Sequence, residues 1–347
     1  MKPIVLINPL ESDRGTGMGQ AAEGLSLVLP EGSWVGAPGL SRWFRRINRW
    51  RPAWLRQVAR LLLAQLAPWC VPRGSRMLFS CHHAPLWRTG RHAVIVHDLI
   101  ALHFPAQSRA QWAYYRYVLP RVVRAATRLV TISETVRTEL AGCFPGREPT
   151  VLPSCSARFD RPVQTGLSLN ERRRRGRLAF VGARYPHKNL GLVLEALARP
   201  ECADLTLTVT SCTRRLWPGL AELERSGRVQ VLEYAESGEL DELYASALAL
   251  VFPSFDEGLG LPPLEAMATG CPVIVADVPA LRETCGDAAF YVDPRNPATL
   301  AALLARMRSG AADAEIEEQL AAGRRRVDAF RPERLRERWR AFLENWR

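Results

Sequence analysis

Short apolar runs recur along the chain, each closed by a turn rich in glycine, proline or polar residues. Ile4–Ile7, Ala93–Val96 and Leu129–Ile132 lie in the first half. Leu178–Val181, Leu205–Thr210, Val229–Leu232, Leu248–Phe252, Pro272–Ala276 and Ala289–Val292 follow in the second. Their length and continuity fit strands buried on both faces. Segments of helical period separate them, notably Ala110–Ala126, and Glu333–Trp346 closes the chain as a helix rich in Arg and Trp. Strand and helix alternating from end to end predict an α/β protein with parallel sheets. A length of 347 residues exceeds what one core usually covers. The stretch FDRPVQTGLSLNERRRRG, from Phe159, is polar, holds Pro and Gly, and carries the run Arg172–Arg175, so it reads as an interdomain linker. The expected layout is a first domain at 1–160, a linker at 161–176, a second domain at 177–330 and a terminal helix at 331–347.

The segment FPSFDEGLGLPPLEAMATGCP, from Phe252 to Pro272, carries the most chemistry. Pro253 ends a buried strand. Pro262 and Pro263 favour a helix start, where a missing N–H costs nothing. Gly270 and Pro272 stop a helix over Leu264–Thr269. Glu257 then falls on a loop at the carboxyl end of a strand, and Glu265 in the first turns of the next helix. Gly258 and Gly260 between them let backbone approach a ligand closely. In an open α/β sheet, ligands bind at such strand ends. Earlier, FVGARYPHKNL places Arg184 and Lys188 just after another buried strand, with Asn189 as an expected N-cap. Lys188 is one of only two lysines in an arginine-rich chain.

The spacing of Glu257 and Glu265 resembles the E-x7-E signature of the retaining family 4 glycosyltransferases, the glycosyl transferases group 1. That resemblance implies the GT-B architecture: two Rossmann-like parallel-sheet domains facing each other across a cleft, the last helix crossing back to the first domain. It further implies that Glu257 meets the hydroxyls of a donor sugar, with the backbone N–H groups of Gly258, Leu259 and Gly260 beside it. Glu265 takes the ribose hydroxyls, a role suited to a carboxylate, which accepts from two vicinal hydroxyls at once. Arg184 and Lys188 bracket the donor diphosphate, where fixed cations stabilise the charge that grows on the leaving group. RGTGMGQ, after the first strand, resembles the family's glycine-rich loop and assigns Gly17 and Gly19 to the donor phosphates. VIVHDLIALHFP resembles the strand that ends in a His facing the sugar, which is His97 here, followed by Asp98; His103 is a second candidate. One departure stands out: LTLTVTSCTRR has Ser211 and Cys212 where the family has a glycine-containing turn. The chain has no D-x-D, which agrees with a metal-independent mechanism without cofactor. VHDLIALHFP with VGARYPHKN resembles bacterial mannosyl- or rhamnosyl-type enzymes of surface polysaccharide assembly. The implied partners are a nucleotide-sugar donor and a glycan or polyprenyl-linked acceptor.

Composition adjusts this picture. The net charge of +12 suits anionic partners. Two other classes accordingly remain: a nucleotide-sugar 2-epimerase of the same architecture, and a nucleic-acid-binding protein. Against the latter, the arginines are spread through both halves and no RNP-like or finger motif is present. The eight cysteines lack paired spacings, which favours reduced thiols in a cytoplasmic protein. His82 and His83 follow Cys81 without further ligands at metal spacing, so no metal site is assigned. Ser133 with Glu134 reads as a helix cap. No run reaches the ~20 apolar residues of a membrane span. Leu40–Trp69 is a basic amphipathic stretch in which Trp43, Phe44, Ile47 and Trp50, then Trp54, Leu55, Val58, Leu61 and Leu62, recur at helical spacing among arginines. It reads either as a membrane-docking face on the inner side of the cytoplasmic membrane, or as helices packed on their own domain.

Overall fold

The computed structural model describes residues 4–9, 17–30, 33–35, 38–50, 53–160, 167–233 and 235–346. The chain forms two compact units, one of Met1–Ala157 with Phe330–Arg347, the other of Arg158–Ala329. Among the described residues no helix is long and apolar enough to cross a membrane.

Unit 1 holds a six-stranded sheet of β1 (Ile4–Ile7), β2 (Trp34–Val35), β3 (Arg76–Phe79), β4 (His92–Val96), β5 (Arg128–Thr131) and β6 (Thr150–Val151), in the order β2-β1-β3-β4-β5-β6. Every neighbouring pair is parallel, with Val5 beside Met77, Leu78 beside Ala93 and Val94 beside Leu129. The central strand β3 falls outside the expected set. Its four residues begin with Arg76, a charge that argues against burial. That guanidinium is nevertheless buried, because it donates to the carbonyls of Leu343 and Trp346, each at 2.5 Å.

Those carbonyls belong to the end of the chain. The Pro332–Asn345 helix packs on the Gly17–Val28 helix within unit 1, burying Trp339 and Trp346. Arg336 donates to the Leu27 carbonyl and Arg338 to that of Val151, both at 2.9 Å. The expected helix Ala110–Ala126 is interrupted by a π-helical turn, Tyr114–Val118, ahead of Leu119–Ala125. Pro120 explains it: proline has no N–H, and its ring clashes with the carbonyl four residues back, so the turn widens.

Unit 2 holds β7 (Arg177–Val181), β8 (Thr206–Thr210), β9 (Val229–Leu232), β10 (Ala249–Phe252), β11 (Val273–Ala276) and β12 (Phe290–Val292). The order is β12-β11-β10-β7-β8-β9, all parallel. The first strand of the unit thus lies next to the fourth, and the winding direction reverses between β7 and β10. Such a switch point leaves a crevice beyond the strands' carboxyl ends.

The expected linker is corrected in part. Residues 161–166 lie outside the described residues, but Leu169–Arg175 is a helix. Ser168 and Glu171 form a capping box at its start, and Gly176 ends it at φ 57°. Arg172, expected in a solvated run, is buried and donates to the carbonyls of Leu167, Tyr244, Ala247 and Gly270. It therefore ties the helix to the start of β10 and to the end of the helix that precedes β11.

Candidate active site

The site of unit 2 grows from the turns after β7 and β10. Past β7 the chain passes Gly182 at φ 88° and reaches a short 3-10 turn, Pro186–Lys188. Past β10 it passes Pro253, and the Phe255 N–H donates to the His187 carbonyl at 2.9 Å. The two turns are thereby tied together. Asn189 adds a second tie, in a way the sequence does not convey. It stands at the N-cap position with φ 60°, but its side chain makes no cap. Its amide donates instead to the carbonyls of Pro253 (3.1 Å) and Pro294 (2.8 Å), so one side chain clamps the ends of β10 and β12 beside β7.

This frame brings Lys188 Nζ to 2.6 Å from Glu257 Oε1. Lys188 also lies over the Phe252 ring, 5.0 Å from its centroid. Glu257 is 8% exposed. The guanidinium of Arg184, half-buried at the same strand end, has no ion-pair partner among the described residues. Lys188 and the adjacent burial hold the His187 imidazole down to about 3, burial being the larger cause, so this ring is neutral.

Gly258, Leu259 and Gly260 lead into the Leu261–Ala268 helix. Gly260 has φ 91°, which favours glycine, and a Cβ there would stand 2.8 Å from the Leu281 Cδ2 methyl, which would have to shift. The Leu259 carbonyl accepts from the Thr284 hydroxyl, which orients the loop from behind. Glu265 is the fifth residue of the helix and only 2% exposed. Arg158 Nε lies 3.6 Å from its Oε1, and the same guanidinium pairs with Asp241. Beside them Tyr244 is fully buried; burial and the charge of Glu265 keep its phenol protonated. Arg158 and Asp241 are missed by sequence reasoning. They bear no fixed spacing to Glu265, and only the folded unit joins them.

The glycine-turn departure also resolves. Ser211 follows β8 with φ 53°, and with Asn189 it makes up the non-glycine residues at positive φ among the described residues. The backbone shape that a glycine would supply is therefore present, adopted by serine at a cost.

In unit 1, Arg14 to Thr16 of the glycine-rich segment lie outside the described residues. Gly17 and Gly19 are not on a loop, as expected, but in the first turn of the Gly17–Val28 helix. His97 follows β4 and is 5% exposed. Its Nε2 is 2.6 Å from the Ser80 carbonyl. Burial lowers its pKa, so the ring is neutral, donating from Nε2 and leaving Nδ1 as acceptor. With Leu25, Ile95, Cys155 and Trp339 it lines a cavity of about 10 Å³, space for about one water. Asp98 accepts from the Ile100 N–H at 3.2 Å and so shapes its own turn. Ser133 caps the Glu134–Cys143 helix, accepting from Val136 N. His82 and His83 are buried among Tyr114 and Tyr115, with His83 Nε2 2.5 Å from Gln57 Oε1.

Comparison with known proteins accords with this geometry. Residues 175–309 match the family described as glycosyl transferases group 1, so the chain carries that domain. An O-antigen chain mannosyltransferase of Salmonella typhimurium, RfbU, is 30% identical over 227 residues, 63% of this chain and 61% of the relative. O-antigen chain mannosyltransferase B of Escherichia coli is 29% identical over 224 residues, 60% of this chain and 59% of the relative. The match thus spans about three-fifths of these curated relatives. The crystal structure of WaaG, a glycosyltransferase involved in lipopolysaccharide biosynthesis, superposes with a TM-score of 0.69 at 16% identity, covering 99% of this chain and 100% of that one. That likeness over the full length shows the fold to be GT-B.

Proposed function

We propose that this chain, a bearer of a glycosyl transferases group 1 domain, moves a hexose from a nucleotide-sugar to a glycan or lipid-linked acceptor in cell-surface polysaccharide assembly, with the anomeric configuration retained. The observation that carries the reading is the meeting of Lys188 with Glu257 at the β7/β10 switch point. A cation for the diphosphate and an acid for the sugar are needed side by side, because those two groups are joined by the bond that breaks.

In this reading the electron pair of the anomeric C–O bond passes to the departing diphosphate. Arg184 and Lys188 stabilise the charge that accumulates there and take the part that a divalent metal plays elsewhere. Arg forks onto two oxygens while Lys acts as a point charge. Glu257 exchanges its lysine for the sugar hydroxyls, and the N–H groups of Gly258, Leu259 and Gly260 orient the ring. Glu265 accepts from the ribose. The acceptor hydroxyl attacks from the leaving-group face and gives its proton to the departing phosphate, so no separate base is required.

The mannosyltransferase relatives favour mannose as the sugar. The +12 charge then serves an anionic donor and an anionic membrane at the cytoplasmic face, rather than nucleic acid. Thermal-shift titration with GDP-, UDP-, dTDP- and ADP-sugars tests the donor, since a bound ligand raises the melting temperature by mass action. One nucleotide-sugar should stabilise the wild type and leave Glu265→Ala unmoved. If none shifts the transition, the donor assignment fails. Incubation with the donor alone separates the epimerase, which changes the sugar at C2 without acceptor.

A further inference from the structure

We propose that the outer face of the Ala53–Cys70 helix inserts into the headgroup region of an anionic bilayer, while the arginines of the preceding Pro38–Ile47 helix dock on lipid phosphates. The inference rests on the glycosyltransferase reading only for its purpose, bringing the enzyme to a lipid-linked acceptor.

The two helices divide their side chains differently. In Pro38–Ile47, the apolar residues Leu40, Phe44 and Ile47 are buried in unit 1. Arg42, Arg45 and Arg46 are left on the outside, with Arg49 in the next turn. This helix packs inward and presents charge. In Ala53–Cys70 the core side is taken by Ala64, Ala67 and Arg60, whose Nε donates to Asn48 Oδ1 at 2.7 Å. Trp54, Val58, Leu62, Leu66 and Trp69 follow at steps of three and four, so they form one stripe. All five are exposed, Leu62 at 63% and Trp69 at 72%. Trp87, from the loop after β3, extends the stripe, its ring 5.3 Å from that of Trp69. Soluble monomers seldom leave so continuous an apolar face in water.

Charge identifies the occupant. From Ser33 to His97 the chain has eleven arginines and no Asp or Glu. A second copy docked through the same face in a two-fold contact would set these arginines against one another. An anionic lipid surface meets them with phosphates, while its interfacial depth suits tryptophan. The exposed Trp43, with Arg46 5.5 Å above its ring, belongs to the same boundary.

Co-sedimentation with phosphatidylcholine vesicles, with and without phosphatidylglycerol, tests this and needs neither donor nor acceptor. Its failure is therefore separable from failure of the donor titration. The wild type should pellet only with the anionic vesicles. Arg45→Glu/Arg46→Glu/Arg49→Glu should lower the partition coefficient roughly a hundredfold or more, since each arginine contributes about a fivefold factor. Leu62→Ser/Leu66→Ser, on exposed positions, should lower it roughly tenfold or more, and lipid brominated in the upper acyl chain should quench tryptophan fluorescence in the wild type alone. A wild type that stays in the supernatant with both vesicles overturns the proposal. So does equal binding by the leucine variant, or a dimer in size-exclusion chromatography that the leucine variant dissolves.

Discussion

Lys188→Met is the substitution that best separates structure from chemistry. It removes a cation 2.6 Å from a carboxylate whose side chain is 9% exposed; the lysine side chain itself is 18% exposed. Breaking a buried pair by deleting one partner costs about 3 kcal/mol or more, because the remaining charge is stranded. Lost contact with the Phe252 ring adds about 0.5 kcal/mol. For a unit of this size that corresponds to a fall in melting temperature of roughly 7–14 °C. Adding Glu257→Leu removes the stranded charge, so the double variant should recover most of the loss. Activity should not recover. If Lys188 stabilises the departing diphosphate and Glu257 holds the sugar, each single variant and the double should lose at least about two decades of turnover. The assay pairs differential scanning fluorimetry with single-turnover transfer from the donor found by thermal shift. A double variant that regains stability and also turns over within a few-fold of wild type would show the pair to be scaffold only, and would remove both residues from the mechanism.

Ser211→Gly should raise the melting temperature of unit 2 by roughly 2–4 °C, since a φ of 53° costs a side-chain-bearing residue about 1 kcal/mol; an unchanged or lower value refutes the strain. Gly260→Ala should cost roughly 1–3 kcal/mol, from its φ and from the 2.8 Å approach to Leu281, and should weaken donor binding, seen as a smaller ligand-induced shift. Stability should also depend on pH below neutrality. Burial is the main cause that holds His82 and His187 near 3 and His92 near 4 in the folded chain, whereas an unfolded histidine titrates near 6.5. Above pH 6.5 both states are neutral and nothing changes. As pH falls from 6.5 toward those lower values, the unfolded chain takes up protons that the folded rings refuse, and stability drops by up to about 1.4 kcal/mol per pH unit per ring. A melting temperature flat from pH 7 to pH 5 would contradict the burial of neutral rings.

Strands such as β7 and β10 of unit 2 were legible because each is a mostly apolar run with a glycine or proline at its end, Gly182 after Val181 and Pro253 after Phe252. Strand β3 was not, because its buried arginine is satisfied by carbonyls more than 260 residues away in the sequence. The same physics hid the Leu169–Arg175 helix. Composition makes four consecutive arginines a solvated run, and nothing local says that one of them turns inward onto four carbonyls. Gly17 and Gly19 were placed on a loop because RGTGMGQ resembles the family's glycine-rich loop; in the first turn of a helix the helix penalty of glycine matters less, since N–H groups there have no intrahelical partner.

The acidic pair shows where local reading ends. The E-x7-E spacing locates Glu257 and Glu265 along the chain, but says nothing of how an acid that is 2% exposed is paired. An unpaired carboxylate at that depth would take up a proton instead. Arg158 supplies the counter-charge, and because it also pairs with Asp241, its guanidinium is held by two acids rather than one. The consequence bears on ligand binding. Arg158 is anchored on Asp241 and stands with its Nε 3.6 Å from Glu265 Oε1, so replacing either partner should disturb the carboxylate that the ribose is proposed to meet. The charge environment of Glu265 is therefore set by Arg158 and Asp241 as much as by the helix that carries it.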